Sequence, residues 1–376
     1  MIYLDNPATS MQKPACVLSA MDRNTRNASV NAGRGGHRAS IMGASGIGET
    51  QEALADFFGI KNPERIAFTQ NATYALNMAI MGFLSPRDHV IITSMEHNSV
   101  LRPVHRLCSY TIVSANAEGE IDPKDIERAI RRNTKMVITT HASNVCGTVM
   151  PVYEIGRICK KHGLVYLLDS AQTAGIIPID VEKMGVSMLA FSGHKGLMGP
   201  LGTGGLYVAE NIQLEPLIVG GTGSRSESKT QPRDMPDLLH SGTLNTPAIM
   251  TLKTAVQYIN SVGIKNIEER ERSLAEYLVS GLENISGVRV YGKQKGNRNG
   301  TVAFNIWDMA SGEVTEILDK NYKIMARGGW HCAYIAHKTL GTERTGAVRV
   351  GFGAFSSRQE ADSLLFAVNR IAKSGK

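Results

Sequence analysis

The segment that decides the fold runs from Leu164 to Lys195 and reads LVYLLDSAQTAGIIPIDVEKMGVSMLAFSGHK. It holds two short apolar runs, Leu164–Leu168 and Met188–Phe191. Asp169 closes the first, and Ser192-Gly193-His194-Lys195 follows the second. Short apolar runs bounded by turn residues suit buried strands. Two similar runs precede them, at Val90–Thr93 and Met136–Thr140. Helical patterns lie between. Asp122-Pro123 supplies an N-cap and a first-turn proline ahead of Ile126, Ala129 and Ile130. Pro151 opens a stripe of Val152, Ile155, Ile158 and Cys159 that stops near Gly163. This alternation predicts an α/β fold whose sheet is mostly parallel, with helices on both faces. Ligands of such sheets bind at the carboxyl edge, where Asp169 and Lys195 fall.

Beyond about residue 245 the rhythm changes. A long helix is predicted from Thr246-Pro247 to about Val262, and another carries Ile267, Leu274, Leu278 and Leu282 on one stripe. Strand-like runs follow around Val288, Val302 and Val348. Ser357 and Glu360 form a capping box ahead of a last helix carrying Leu364, Leu365, Val368 and Ile371. The division expected is a large α/β domain over residues 15–245, with residues 1–14 and 246–376 forming a smaller α+β domain. The glycine- and serine-rich stretch from Gly220 to Pro236 reads as a mobile loop.

The chain has 376 residues, 42% hydrophobic and 20% charged, which excludes disorder and leaves ample length for a core. No apolar run approaches the roughly 20 residues that span a bilayer. The N-terminus shows no secretory pattern. The net charge of +7 is scattered, and the 6% aromatic content shows no stacking pattern, which argues against a nucleic-acid binder. The five cysteines, Cys16, Cys108, Cys146, Cys159 and Cys332, include no C-x-x-C pair, so neither a metal site nor a disulfide framework is expected. Free thiols suit a reducing, cytoplasmic setting.

Lys195 sits at a strand end among small and hydroxyl residues and ahead of the glycine-rich Gly199–Gly205. Desolvation there lowers an amine's pKa and leaves a nucleophile suited to a Schiff base. A carboxylate at the sheet's carboxyl edge, Asp169, suits pairing with a protonated pyridine nitrogen, the arrangement that makes pyridoxal 5′-phosphate an electron sink. Thr69–Thr73 opens a helix whose first N–H groups, with a threonine hydroxyl, can hold an anion. His97, after the strand Val90–Thr93, can stack on a ring or shuttle protons. Taken singly, each of these also has an ordinary reading: a turn lysine, N-cap residues, a solvated histidine.

Together these residues resemble the fold-type I pyridoxal phosphate enzymes of the class V aminotransferase group, and within it the cysteine desulfurases. The likeness runs from Tyr3-Leu4-Asp5-Asn6-Pro7-Ala8 through Arg34-Gly35-Gly36-His37, Glu96-His97, His141–Asn144, Asp169–Gln172 and Ser192–Lys195. It ends in Arg327–Cys332 and the strand of Arg349. The resemblance implies a large domain with a mainly parallel seven-stranded sheet, a smaller C-terminal domain and a homodimer with shared active sites. It implies that Lys195 holds the cofactor and moves the substrate Cα proton. Asp169 would pair with the pyridine nitrogen, Gln172 would reach the ring oxygen and His97 would stack on the ring. Ala72, Thr73, Ser192 and His194 would hold the phosphate, with Thr243 reaching it from the second subunit. Asn144 and Arg349 would hold the substrate carboxylate, with Arg327 on the same side. Arg34 and His37 would line the entrance.

Cys332 decides the reaction that this resemblance implies. It lies in the loop Arg327-Gly328-Gly329-Trp330-His331-Cys332, where the neighbouring histidine and arginine favour a thiolate. A thiolate there would take sulfur from L-cysteine as a persulfide, releasing alanine. L-Selenocysteine suits the same chemistry, and aminotransfer, C–S lysis or epimerisation on this scaffold would not need Cys332. A dedicated acceptor protein, as in iron–sulfur cluster assembly, is the implied partner. Ser170, Asn98 and Trp330 depart from the commoner family pattern and leave the subgroup open. Cys146, close after Asn144, is either a core filler or an oxidisable neighbour of the site.

Overall fold

The runs that end at Asp169 and Ser192 lie side by side as parallel strands, with Asp169 paired to Ala190. The computed structural model describes residues 1–374. Its strands are β1 (Ile2–Tyr3), β2 (Ile66–Thr69), β3 (His89–Thr93), β4 (Ser109–Val113), β5 (Thr134–Thr140), β6 (Val165–Asp169), β7 (Met188–Ser192), β8 (Gly204–Val208), β9 (Val288–Tyr291), β10 (Thr301–Ile306), β11 (Ile324–Met325) and β12 (Val348–Gly351). Its α-helices are α1 (Ala15–Asn27), α2 (Arg38–Phe58), α3 (Ala72–Phe83), α4 (Asn98–Leu107), α5 (Pro123–Arg128), α6 (Val152–His162), α7 (Thr246–Val262), α8 (Ile264–Glu283), α9 (Ser311–Tyr322), α10 (Tyr334–Leu340) and α11 (Arg358–Ser374).

Seven strands form the main sheet in the order β2-β8-β7-β6-β5-β3-β4. The pairs β3–β4, β3–β5, β5–β6 and β6–β7 are parallel, whereas β8 runs antiparallel to both β7 and β2. Strands β3, β6 and β7 are buried on both faces, which is why they read as continuous apolar runs rather than as alternation. Strand β8 was not legible as a strand, because its glycines resemble a turn. Glycine is required there: a Cβ on Gly205 would lie 2.3 Å from the Phe191 ring, and one on Gly204 2.8 Å from the Asn71 Cα. The same closeness sets the start of α3 against the sheet edge.

The smaller sheets are antiparallel β12-β10-β9 and parallel β1-β11. Phe304, Leu278, Leu364 and Val368 fill the core between the three-stranded sheet and helices α8 and α11. Helix α7 packs on α1 and α2, and its Leu252, Val256 and Ile259 share a core with Phe58 and Phe191. The capping box at Ser357 and Glu360 forms as expected, with the Ser357 N–H donating to the Glu360 carboxylate at 2.8 Å. The stretch after Gly220 is tied down rather than free. Arg225 pairs with Asp234 at 2.6 Å, Ser224 donates to Asp237, and Arg34 donates to the Gly221 carbonyl at 2.9 Å.

Candidate active site

The crevice at the carboxyl edge collects residues from five elements and their loops: the start of α3, His97 before α4, the ends of β5, β6 and β7, and Asn144. Thr73, His97, Asn144, Asp169, Ser192 and Lys195 all line it. Parallel strands that end together make this convergence possible, because each strand delivers its following residue to the same rim.

Lys195 is half-buried and makes no side-chain hydrogen bond among the described residues. Burial pushes its amine down to about 8; the nearby Asp169 carboxylate opposes that shift, and Arg349 and Arg327 reinforce it. The backbone beneath it is fixed from the N-terminal segment. Ser10 Oγ donates to the Lys195 carbonyl at 2.9 Å, and Lys13 Nζ donates to the His194 carbonyl at 3.2 Å. Asp169 is buried, which raises its carboxyl above the ordinary value, while the Ala171 N–H at 2.9 Å and Lys195 favour its ionised form. Its second oxygen has no partner among the described residues.

The start of α3 is an anion cradle in form. Asn71 accepts from the Tyr74 N–H and Ser192 Oγ accepts from the Ala72 N–H at 3.1 Å, while the Thr73 N–H has no partner among the described residues. The Thr73 hydroxyl bonds the Ser99 hydroxyl at 2.7 Å. His97 caps α4, its Nδ1 accepting from the Ser99 N–H at 3.1 Å. Burial, together with Lys195, Arg327, Arg349 and Arg102, pushes the His97 pKa down to about 4, so the imidazole is neutral at pH 7. Burial likewise lowers His194 to about 4, with its Nδ1 3.0 Å from the Thr9 hydroxyl. Gln172 donates to the Pro7 carbonyl at 3.0 Å.

Arg349 is 2% exposed. Its Nη2 pairs with Asp5 at 2.7 Å and its Nη1 donates to the Asn144 carbonyl at 3.1 Å, but its buried Nε has no partner among the described residues. An orphaned guanidinium N–H is costly to bury and fits an anion yet to arrive. Glu96, one residue before His97, has a second orphan, Oε2. Burial raises its carboxyl to about 8, against the hydrogen bonds from Thr93 and Thr140.

Cys332 is exposed and lines a cleft with His97, Thr73 and Ser99, residues that also line the Lys195 crevice. The Cys332 cleft and the Lys195 crevice therefore share one wall, built of Thr73, His97 and Ser99. Its backbone is pinned: the Asn98 N–H donates to the Cys332 carbonyl at 2.7 Å, and Asn144 Nδ2 donates to the His331 carbonyl at 2.7 Å. His331 and Cys332 both adopt left-handed backbone, φ 47° and 55°, which only such anchors would hold. The expectation that His331 supplies charge to the thiol is corrected. Its buried ring turns to His337 Nε2 at 3.2 Å and to the Arg327 carbonyl at 3.2 Å, and burial keeps it neutral.

Within one chain, Arg34, His37 and Thr243 do not line the crevice. Arg34 donates to the carbonyls of Gly221 and Gly242, His37 caps α2, and Thr243 is exposed. Cys146 is fully buried between Gly119 and Gly292 and serves as core. Sequence reasoning gave no role to Asp5, Asn98 or Ser99. Asp5 and Arg349 are too far apart in the chain for any spacing rule.

The class V aminotransferase family profile matches residues 2–364. A probable cysteine desulfurase of Methanothermobacter thermautotrophicus is 35% identical over all of this chain and 95% of its own length. The apo cysteine desulfurase of Thermococcus onnurineus has a similar structure, with a TM-score of 0.92 at 33% identity over 99% of this chain and 95% of that one. The cysteine desulfurase CsdA of Escherichia coli, in its S-sulfonic acid form, gives a TM-score of 0.88 at 25% identity over 99% and 94% of the two chains.

Proposed function

The chain belongs to the class V aminotransferase family, and from that membership we propose that it is a cysteine desulfurase, taking sulfur from L-cysteine onto Cys332 and releasing L-alanine. One observation carries the reading: Cys332 lines a cleft that shares His97, Thr73 and Ser99 with the crevice of Lys195 and Asp169. Aminotransfer has no use for a thiol there.

The residues fit pyridoxal 5′-phosphate on three counts: an unbonded amine of lowered pKa, a buried carboxylate with one free oxygen, and an open N–H at a helix start. Bound there, that group draws electrons from the substrate Cα and eases loss of its proton and of the C–S bond. Lys195 Nζ would hold the cofactor and carry the substrate Cα proton. Asp169 would pair, as the carboxylate, with the pyridine nitrogen. Neutral His97 would stack on the cofactor ring, and Gln172 would offer its remaining amide hydrogen to the ring oxygen. Ala72, Thr73, Ser192 and His194 hold the phosphate. The Arg349 Nε and Asn144 orient the substrate carboxylate, with Arg327 beside them. The Cys332 sulfur then bonds the substrate Sγ as the C–S bond breaks, and the carbon fragment keeps the electron pair and is protonated to alanine.

Thr243, Arg34 and His37 complete the site across a homodimer, with Thr243 reaching the partner's phosphate. The five cysteines, all free, suit a cytoplasmic protein that passes sulfur to an acceptor, as in iron–sulfur cluster assembly. Among the described residues no helix is long and apolar enough to cross a membrane. The deciding experiment compares the holoenzyme with Cys332→Ala, assaying alanine and sulfide together under reductant. The variant keeps its bound cofactor and loses most of both products. Undiminished sulfide release by Cys332→Ala would instead indicate C–S lysis, and a pyridoxamine form with a keto acid would indicate aminotransfer.

A further inference from the structure

The cleft before Cys332 carries more positive charge than the reaction on cysteine uses. Arg102 and Arg106 lie one turn apart on α4 and face it together with Asn77, His97 and Cys332. Both are exposed, and neither makes an ion pair or a side-chain hydrogen bond among the described residues. On other helices Arg26 pairs with Asp22 and Arg128 with Asp125, while exposed Arg23 and Arg370 have no such partner among the described residues, so what sets Arg102 and Arg106 apart is their place beside Cys332. No acidic residue lines this cleft.

The anchoring of the loop gives that field a use. The Cys332 carbonyl is held by Asn98 and the His331 carbonyl by Asn144, while the His331 ring is stacked on His337 at 5.3 Å. A sulfur carried on Cys332 is therefore offered at a fixed place, and whatever removes it must enter the cleft. Resting on the desulfurase reading, we propose that this cleft is the sulfur-exit site and that Arg102 and Arg106 select an acceptor thiol with a carboxylate a few bonds from its sulfur. Such an acceptor is either a small mercapto acid or a cysteine in an acidic protein segment. The exchange balances without a further reagent. The acceptor thiolate bonds the outer sulfur of the Cys332 persulfide, the S–S bond breaks, and its electron pair returns to Cys332 as thiolate. Unpaired cations at a rim act mainly on encounter, so the preference should be kinetic and salt-sensitive.

The test starts from holoenzyme loaded with L-cysteine and freed of excess substrate. Persulfide loss from Cys332 is then followed by mass spectrometry with 3-mercaptopropionate, 2-mercaptoethanol or cysteamine, each rate corrected for its thiolate fraction. The anionic thiol should react about tenfold faster than the neutral one at low ionic strength, and the cationic thiol slower still. The gap should shrink to about twofold near 0.5 M salt. Arg106→Glu should reverse the order, and Arg106→Ala should flatten it, while both keep the single-turnover yield of alanine. A cysteine peptide flanked by aspartates should outpace its lysine-flanked counterpart; a peptide advantage well beyond that of mercaptopropionate marks the protein source, and parity marks the small-molecule source. Charge-independent rates in the loaded wild type, or an unchanged order in Arg106→Glu, would overturn the acceptor site alone. Failure to load sulfur on Cys332 at all would overturn the desulfurase reading instead.

Discussion

Lys195 shows how burial alone tunes a residue for its task. Its amine sits near Asp169, yet desolvation outweighs that attraction and brings the pKa down to about 8 from the ordinary 10.5. Only the neutral amine attacks an aldehyde, so attack gains as pH rises through the amine's own pKa. Cofactor-free protein should therefore capture pyridoxal 5′-phosphate faster as pH rises, with a midpoint near 8 and a plateau above it. Visible absorbance during mixing reads this directly. A midpoint near 10.5 would show a solvated lysine and contradict the burial argument. Arg349 makes the complementary case. Asp5 and the Asn144 carbonyl satisfy two of its nitrogens and leave Nε for a ligand. The lysine and the aspartate were legible in the sequence because Asp169 closes one apolar run and Lys195 follows four residues after the end of another. The Asp5–Arg349 pair was not, since only the tertiary fold joins residues 344 positions apart.

At the scale of elements, the loop from Arg327 to Cys332 is held by what surrounds it rather than by its own propensity. His337, on α10, is fully buried and bonds His331 on one side and the Thr342 hydroxyl, at 2.7 Å, on the other. His337→Ala removes both contacts and leaves a void under the loop, costing about 2–4 kcal/mol. The variant should melt earlier and form the Cys332 persulfide several-fold more slowly, while capturing cofactor at the normal rate. Calorimetry and single-turnover assays check this; an unchanged persulfide rate would show that the stacked histidines do not position the thiol. The helices were the most legible elements. Asp122-Pro123 and Ser357 with Glu360 announce their own starts, and Gly163 adopts the left-handed cap its position suggests, φ 63°. Less legible was strand β8, whose Gly204 and Gly205 answer to the crowding of Phe191 and Asn71 rather than to strand propensity. The direction of the His331 ring was equally hidden, because it depends on a histidine six positions later.

For the whole molecule, the mainly parallel sheet sets the site, since β5, β6 and β7 all end at the crevice. One chain nevertheless leaves Thr243 outside it. If Thr243 serves the partner's site, mixing and reassembling Lys195→Ala and Thr243→Asp proteins should restore desulfuration. Each hybrid dimer would then hold one intact site and one doubly damaged site. No recovery beyond the two parents would place Thr243 in its own chain's site. The account as a whole rests on sulfur passing from a substrate at Lys195 to the thiol in the adjoining cleft. Its most direct measurement is a single turnover of holoenzyme with one equivalent of L-cysteine and no reductant, with alanine quantified and every cysteine-containing peptide weighed. The prediction is one added sulfur per alanine formed, carried by Cys332. Alanine formed with Cys332 unmodified, its sulfur free in solution or on another cysteine, would contradict it.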